Sequence, residues 1–456
     1  MKSKNSSIFI TFVLQIRIQN MIDNSIFNNK KVIFHTLGCK LNFAETSAIG
    51  KQLSNEGFVK VRPGEQADVC IINTCTVTDT ADHKCRQAIN RLHRQHPDAI
   101  MVVTGCYAQL KPEEIASIEG VDLVLGANEK FSLLDYLNKN DASVNGEIHR
   151  EDILKVKEFK PSCSRDDRTR FFLKVQDGCD YYCTYCTIPI ARGHSRNASI
   201  SETVDMARQA ISEGAREIVL TGINTGDFGK TTGENFFDLV KALDALPDEI
   251  RFRISSIEPN LLTDELIRFV SQSRHFMPHF HIPLQSGSNE VLKLMKRRYT
   301  KELFAEKIHS IKQIMPDAFI GVDVIVGVRG ETDEFFGEAL RFITTLDISQ
   351  LHVFSYSERA GTKMLEIEHS VLNTERKRRS EVLHSLSTIK TQQFYENQIG
   401  KEVQVLWESR SRDDKMVGFT HNYIRVERPF EKTLVNTIQS IHLGEWNEEK
   451  TALMVK

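Results

Sequence analysis

What the sequence has little of narrows its class before any motif is read. It carries only 11 prolines among 456 residues. With 40% hydrophobic and 26% charged residues, that excludes a collagen-like chain and broad disorder. Neither sign of charge is in excess, since 59 Lys and Arg stand against 61 Asp and Glu for a formal net charge of -2. A polyanion must therefore be met by a local patch and not by the field of the whole chain. No apolar run is long enough to span a membrane. The apolar stretch over residues 8–16 is broken by Thr11 and Gln15, runs into Arg17 and lacks a small-residue cleavage pattern, so it reads as a poor secretory signal. Residues 1–30 are expected to be a dispensable tail or a misassigned start, with Met21 as the alternative initiator. Nine cysteines, an odd number spread over a long chain, do not read as a disulfide framework. They favour a reducing, cytoplasmic setting and metal chemistry.

The length favours about three domains, and the pattern divides accordingly. From residue 31, β-branched runs (KVIFHTLG, VCIIN, IMVVTG, LVLG) alternate with helical segments at Glu45 to Glu56, Ala81 to His96, Pro112 to Ile118 and Lys130 to Leu137. That is the signature of a parallel α/β sheet, expected over 31–145. Residues 138–165, rich in Asn, Asp and Ser, read as a linker. A second series, FFLKV, EIVLT, RFRIS, HFHIP, FIGVDVIVG and HVFSY, gives six β/α units and an open barrel over 165–395, whose chemistry should lie at the carboxyl ends of its strands. The last sixty or so residues, from 398 to 456, are β-rich and suggest a small antiparallel barrel. The fold class is α/β with that barrel appended. The basic run ERKRRS, residues 375–380, falls in a long helix and reads either as a solvated face or as an RNA-facing patch.

The strongest local signal is CDYYCTYC, in which Cys179, Cys183 and Cys186 follow the first barrel strand with C-x3-C-x2-C spacing. Structural zinc takes four protein ligands, and no fourth Cys or His follows closely. A [4Fe-4S] cluster on three cysteines leaves one iron open for a small molecule, and the spacing differs from electron-transfer ferredoxins. Cys39, Cys75 and Cys106 each follow one of the first three parallel strands, so their loops share the sheet edge where open α/β folds bind ligands. Separated buried cysteines also occur as plain small hydrophobes, and spacing alone leaves that open. Cys70, Cys85 and Cys163 read as structural or incidental.

In combination these motifs resemble those of a known family. The spacing of CDYYCTYC, with Tyr185 before its last cysteine, is that of radical S-adenosylmethionine (SAM) enzymes. With TLGCK, INTCT, TGCYAQ, HIPLQSGS and YSERAGT, residues 31–456 resemble the radical SAM methylthiotransferases. The resemblance implies two [4Fe-4S] clusters, the radical-generating one on Cys179, Cys183 and Cys186 and an auxiliary one on Cys39, Cys75 and Cys106. It implies that two SAM molecules are consumed per product, one to generate a 5'-deoxyadenosyl radical and one to methylate the sulfur carried to C2 of an adenine. The hard chemistry then belongs to the cofactors, and no catalytic side chain is expected beyond the cluster ligands. The closing β segment is similar to the TRAM module, a small RNA-binding barrel. TLGCKLNFAET with NTCTVTD looks most like the branch that modifies threonylcarbamoyladenosine at position 37 of tRNA. Alternatives are the branch acting on isopentenyladenosine-37, the branch acting on a ribosomal-protein aspartate, and a non-enzymatic metal-containing RNA-binding regulator.

SAM is expected over the barrel mouth, near Tyr185, Thr221, Gly222 and Asn224, Ser255, Ser256 and Glu258, and Gln285, Ser286 and Gly287. The serine-containing groups read equally as helix caps. In VGVRGET the family usually has an aromatic at Val328 and a proline at Arg329, so the turn after the fifth barrel strand is expected to differ. The expected partners are tRNA, an electron donor and a sulfur source, with no membrane and no DNA. RNA contacts are expected from Arg410, Arg412, Lys415 and Arg425 as cations, with His421 and Tyr423 as stacking surfaces. On that reading, deleting residues 398–456 weakens tRNA binding and flattens its salt dependence, while SAM cleavage and both clusters survive.

Overall fold

The computed structural model describes residues 29–62, 64–139, 146–164, 169–247, 249–410 and 414–456, so the expected tail lies almost wholly outside the described residues. The chain divides into two compact units, one reaching Thr76 and resuming over Thr80–Glu151, the other comprising Val77–Asp79 and Asp152–Lys456. In the first, strands β1 (Lys31–Thr36), β2 (Val59–Lys60), β3 (Val69–Thr74), β4 (Ile100–Gly105), β5 (Leu123–Leu125) and β6 (Glu147–His149) form one parallel sheet in the order β2-β1-β3-β4-β5-β6. Helices cover both faces, which is why every residue of β3 is buried. Cys70, Ile72, Met101 and Val103 pack against Cys85, Ile89 and Leu92 of helix Asp79–Gln95. On the other face, Val69, Ile71 and Val102 meet Ile49 and Leu53 of helix Lys40–Asn55. The linker reading of 138–165 is corrected here, because that stretch supplies β6, paired in parallel with β5, and the two-residue strand β7 (Ser162–Cys163). With one apolar residue, Ile148, β6 carries no period-2 signal, and its pairing partner decides its conformation.

In the second unit, all six expected barrel strands form: β8 (Arg170–Lys174), β9 (Glu217–Thr221), β10 (Arg251–Ile254), β11 (His279–Gln285), β12 (Phe319–Val326) and β13 (Gln350–Ser355). β7 to β10 make one sheet and β11 to β13 another. Isolated parallel bridges, Phe252 to Phe276 and Ser256 to His281, carry the wall from β10 to β11. Alternation sorts the side chains. Leu173, Leu220, Phe252, Ile282, Val322 and Leu351 pack outward in one core with Ala207, Leu239, Ile267, Phe304, Ile343 and Leu383 of the surrounding helices. Their neighbours, among them Arg253, His281, Asp323 and His352, therefore face the lumen.

Strands β14 (Glu402–Arg410), β15 (Lys415–Thr420), β16 (Arg425–Pro429), β17 (Ile438–Trp446) and β18 (Leu453–Val455) close into a barrel. This small barrel is fastened to the amino-terminal ends of the large barrel's strands. Phe319 of β12 shares a core with Phe394, Tyr395, Trp407 and Val426, Tyr395 stacks on Trp446 with ring centroids 5.0 Å apart, and Arg253 donates to the carbonyls of Thr420 and His421 at 2.7 and 2.8 Å.

The ERKRRS run fits neither expectation in full. Within helix Asn373–Glu396, Arg376 is buried and donates to the Gly327 carbonyl at 3.0 Å. Arg379, also buried, pairs with Glu331 and Asp333, each at 2.7 Å. Only Lys377 and Arg378 are exposed among its cations.

Candidate active site

The sheet order 2-1-3-4-5 places its topological switch between β1 and β3, where ligands of open α/β folds bind at the carboxyl ends. Cys39 follows β1 and Cys75 follows β3, at that switch, and Cys106 directly follows β4. Thr74 and Gly105 are register partners, so Cys75 and Cys106 leave adjacent strands at the same level. Asn42 ties the loop before Cys39 to the end of β3 by donating to the carbonyls of Leu37 and Thr74 at 2.8 and 3.0 Å. Gly38 has φ +100, and a Cβ there would stand 2.6 Å from the Cys75 Cβ and 3.0 Å from its Sγ. The backbone therefore passes against Cys75 with no room for a side chain. Cys39 is exposed while Cys75 and Cys106 are buried. Cys85 lies beneath them, donating to the Cys75 carbonyl at 3.3 Å. Burial pushes its thiol up to about 11 and that of Cys70 to about 12, which suits their structural reading.

In the barrel, the loop carrying Cys179, Cys183 and Cys186 is anchored at its base by Asp177. That buried carboxylate pairs with Lys174 at 2.7 Å, Arg192 at 2.9 Å and Arg196 at 3.4 Å. Burial opposes its charge, and the three cations overcome it to hold its pKa well below the ordinary range. Burial pushes the Cys179 and Cys186 thiols up to about 12 and raises that of Cys183. Such sites become thiolates when a metal supplies the compensating charge.

Each triad offers three thiols, the donor type that a [4Fe-4S] cluster takes. Among the described residues, only His281, Asp323 and His352 bring three ligand atoms within 4.8 Å of one another. Neither cysteine triad is therefore spaced as one tetrahedral zinc would hold it. The His281, Asp323 and His352 atoms are already engaged, with His281 Nε2 at 2.7 Å and His352 Nδ1 at 3.0 Å from the same Asp323 oxygen.

The expected SAM residues separate on inspection. Asn224 Nδ2, Ser255 Oγ and Gln285 Oε1 are buried without a hydrogen-bond partner, an arrangement that a polar ligand at the mouth would satisfy. Thr263 caps the helix after β10, so Ser255 and Ser256 are not its caps. Thr221 Oγ1 is spent on the Val219 carbonyl at 3.0 Å, and the Ser256 carbonyl accepts from Thr225 Oγ1 at 2.9 Å. Gly222 sits over Gln176, whose Oε1 would be 3.0 Å from a Cβ. Gly287 is a packing glycine, since a Cβ there would meet the Ala339 carbonyl at 2.8 Å, and the Ser286 hydroxyl accepts from the Ser288 backbone amide at 3.3 Å.

Sequence reasoning missed Arg297. Its side chain is buried, donates to Cys183 Sγ at 3.0 Å and to the Tyr185 hydroxyl at 3.4 Å, and is paired with Glu258. Burial opposes its charge, and the Tyr185, Tyr299 and Glu258 groups around it overcome this to raise its pKa, so the guanidinium stays charged. Burial raises the Glu258 pKa against the pull of Arg297. The available signal was KRRY placed just beyond a barrel strand, which composition alone does not separate from a solvated run.

The expected RNA residues also divide. Arg412 lies outside the described residues, and Arg410 ends β14. Lys415 pairs with Glu427 at 2.8 Å, and Arg425 opens β16. His421 and Tyr423 turn toward the large barrel. The Tyr423 ring lies 4.5 Å from His279 and 5.0 Å from Phe419, with Arg253 over it at 5.0 Å, and its hydroxyl accepts from Arg170 at 3.0 Å. Burial, then Arg251 and Arg253, push the His421 pKa down to about 4. The stacking role expected of these two rings is thus replaced by a role in the floor of the barrel. At the Val328–Arg329 turn, Arg329 pairs with Glu358 at 2.9 Å and donates to the Leu365 and Ile367 carbonyls, while Glu331 still accepts from the Gly327 amide at 2.6 Å. The departure from the usual residues is absorbed by these bonds.

Comparison with known proteins matches residues 31–126 to a family described as "Uncharacterized protein family UPF0004" and residues 173–343 to the Radical SAM superfamily. The threonylcarbamoyladenosine tRNA methylthiotransferase of Bacillus subtilis is 41% identical over 408 residues, covering 87% of this chain and 89% of that protein. That of Aquifex aeolicus is 38% identical, covering 87% and 96%. A tRNA-2-methylthio-N(6)-dimethylallyladenosine synthase from Protochlamydia amoebophila is 31% identical, covering 92% and 95%. Among solved structures, the radical SAM methyltransferase TsrM from Kitasatospora setae, with cobalamin and a [4Fe-4S] cluster bound, superposes with TM-score 0.53 at 14% identity, over 72% of this chain and 75% of that one, a likeness of fold. Two cysteine triads in these positions, with identity of this level along nearly the whole length of the relatives, mean that the chain belongs to the radical SAM methylthiotransferase family.

Proposed function

We propose that the protein transfers a methylthio group to C2 of N6-threonylcarbamoyladenosine at position 37 of tRNA. The observation that carries this reading is the pair of cysteine triads at strand carboxyl ends, in a chain whose 41%-identical relative bears that activity in its name. Cys179, Cys183 and Cys186 would hold one [4Fe-4S] cluster, and Cys39, Cys75 and Cys106 the other. When bound, the clusters and SAM supply the one-electron and sulfur-transfer chemistry that no side chain provides. The residues hold and orient. Asp177 and its three cations fix the base of the cysteine loop. Arg297 directs an N–H at the Cys183 sulfur, and Glu258 balances its charge. Asn224, Ser255 and Gln285 offer polar atoms to SAM at the barrel mouth, while Arg410, Arg412, Lys415 and Arg425 remain the cations proposed for RNA. An electron donor and a sulfur source are required, and the cytoplasm is the setting that offers them with tRNA. No helix among the described residues is long and apolar enough to cross a membrane.

Mass spectrometry of tRNA nucleosides from a strain lacking the gene tests the reading. Loss of 2-methylthio-threonylcarbamoyladenosine, with its unthiolated precursor accumulating, is expected. Loss of the methylthio-isopentenyl nucleoside instead would assign the protein to the other tRNA branch.

A further inference from the structure

The inner wall of the barrel at β13 is unlike the rest. Leu351 packs into the outer core and Val353 lies against it, so His352 and Phe354 face inward. Yet Phe354 is 47% exposed, a large aromatic on the lumen side of a strand that the described residues leave about half uncovered. Among the described residues β13 has β12 as its sole neighbour in the sheet, so its inward side chains border the barrel's lateral opening. Across the strand pair, Phe354 is in register with Ile325, which packs in the same cluster as Tyr185 of the cysteine loop. One pleat below, His352 and His281 both turn a ring nitrogen to one oxygen of Asp323. Burial opposes that carboxylate's charge, and the two histidines beside it overcome this to hold its pKa below the ordinary range. His352 Nε2 and His281 Nδ1 are the ring nitrogens turned away from it.

An exposed ring beside imidazoles fixed by a carboxylate, one strand from the radical-generating loop, is what an enzyme acting on an unpaired base uses to hold it. We propose that Phe354 is the stacking platform for the target adenine of the RNA, with His352, oriented by Asp323, placed to hydrogen-bond the edge of that base. The inference rests on the tRNA reading above and names the place where its substrate base lies. The adenine of SAM is the other possible occupant. The unpartnered polar atoms suited to SAM lie at the carboxyl ends of β9, β10 and β11, however, whereas Phe354 lies at the open edge, through which a base attached to a polymer must enter.

The test uses the reconstituted holoenzyme and two anticodon stem-loops, one carrying threonylcarbamoyladenosine at position 37 and one abasic there. Wild type should prefer the first. Phe354→Ala should weaken binding of the base-bearing RNA by roughly 5- to 150-fold, the range of base–aromatic stacking, and leave abasic RNA and SAM affinity unchanged. Phe354→Trp should retain the preference, while Phe354→Leu, apolar without a π-face, should lose it. Because the ring is exposed, iron content and melting temperature should not move. If Phe354→Ala keeps the preference while wild type forms product, the inference is overturned and the function stands. Loss of SAM affinity in Phe354→Ala would assign the ring to the cofactor and overturn it equally. A wild type with no preference for the base-bearing RNA would remove the tRNA reading, and this inference with it.

Discussion

Removing residues 398–456 should cripple the large barrel as well as RNA binding, contrary to what the sequence suggests for a detachable module. The cut strips the cover from Phe319, Phe394 and Tyr395, which are 2%, 7% and 7% exposed in the intact chain. At about 1.5–3 kcal/mol for each re-exposed side chain, the loss is roughly 5–9 kcal/mol. That is comparable to the whole stability of a typical domain, about 5–15 kcal/mol. Arg253 also loses its acceptors on Thr420 and His421, and Arg170 loses Glu408, 2.7 Å away, which leaves charged lumen groups facing an open floor. The truncated chain should be poorly soluble, or should melt at least about 10 °C below the full-length protein. Thermal unfolding followed by circular dichroism, with iron content after anaerobic reconstitution, measures both effects. A soluble truncation melting within about 2 °C of the intact protein and holding both clusters would refute the reasoning, and would restore the barrel to the status of an independent RNA module.

Three further outcomes are expected. Gly38→Ala forces a Cβ against Cys75 and should mimic Cys75→Ala, each removing about half of roughly eight irons and abolishing the methylthio product while deoxyadenosine still forms; full iron in Gly38→Ala would show that the loop yields. Arg297→Met leaves Glu258 buried without its partner and should cost about 3–5 kcal/mol, with Arg297→Met/Glu258→Gln recovering part of it. The same change removes a hydrogen bond to Cys183 and should lower the cluster's midpoint potential, read by a redox titration followed by electron paramagnetic resonance; an unmoved potential would mean that the bond is absent in the holoprotein. His421 has a pKa of about 4 in the fold against an ordinary 6.5, so between those values the unfolded chain binds the extra proton and stability falls as pH drops. The effect amounts to roughly 3 kcal/mol at most, and His421→Gln should flatten the urea-derived stability profile over pH 4 to 6.5; an identical slope would place the imidazole in contact with water.

Local chemistry alone determined much of this protein. The alternation of β-branched runs and helices specified the parallel sheet and the six barrel strands, because residue periodicity and strand burial are local properties. C-x3-C-x2-C is equally local, since three thiols on one short loop converge whatever surrounds them. Cys39, Cys75 and Cys106 lie far apart in sequence and could be placed together only through the expectation of parallel strands ending at one edge, which the 2-1-3-4-5 order realises. Tertiary packing decided the rest. Strand β6 exists because β5 offers it an edge, and Arg376 and Arg379 are buried because the Gly327 carbonyl and Glu331 face their helix. Arg297 meets Cys183 only because the chain after β11 folds back over the cysteine loop. His421 and Tyr423 read as surface groups on a strand turn and became the floor of another barrel. Which face of a β-turn meets water depends on what packs against it, and that partner lies more than a hundred residues away in the chain.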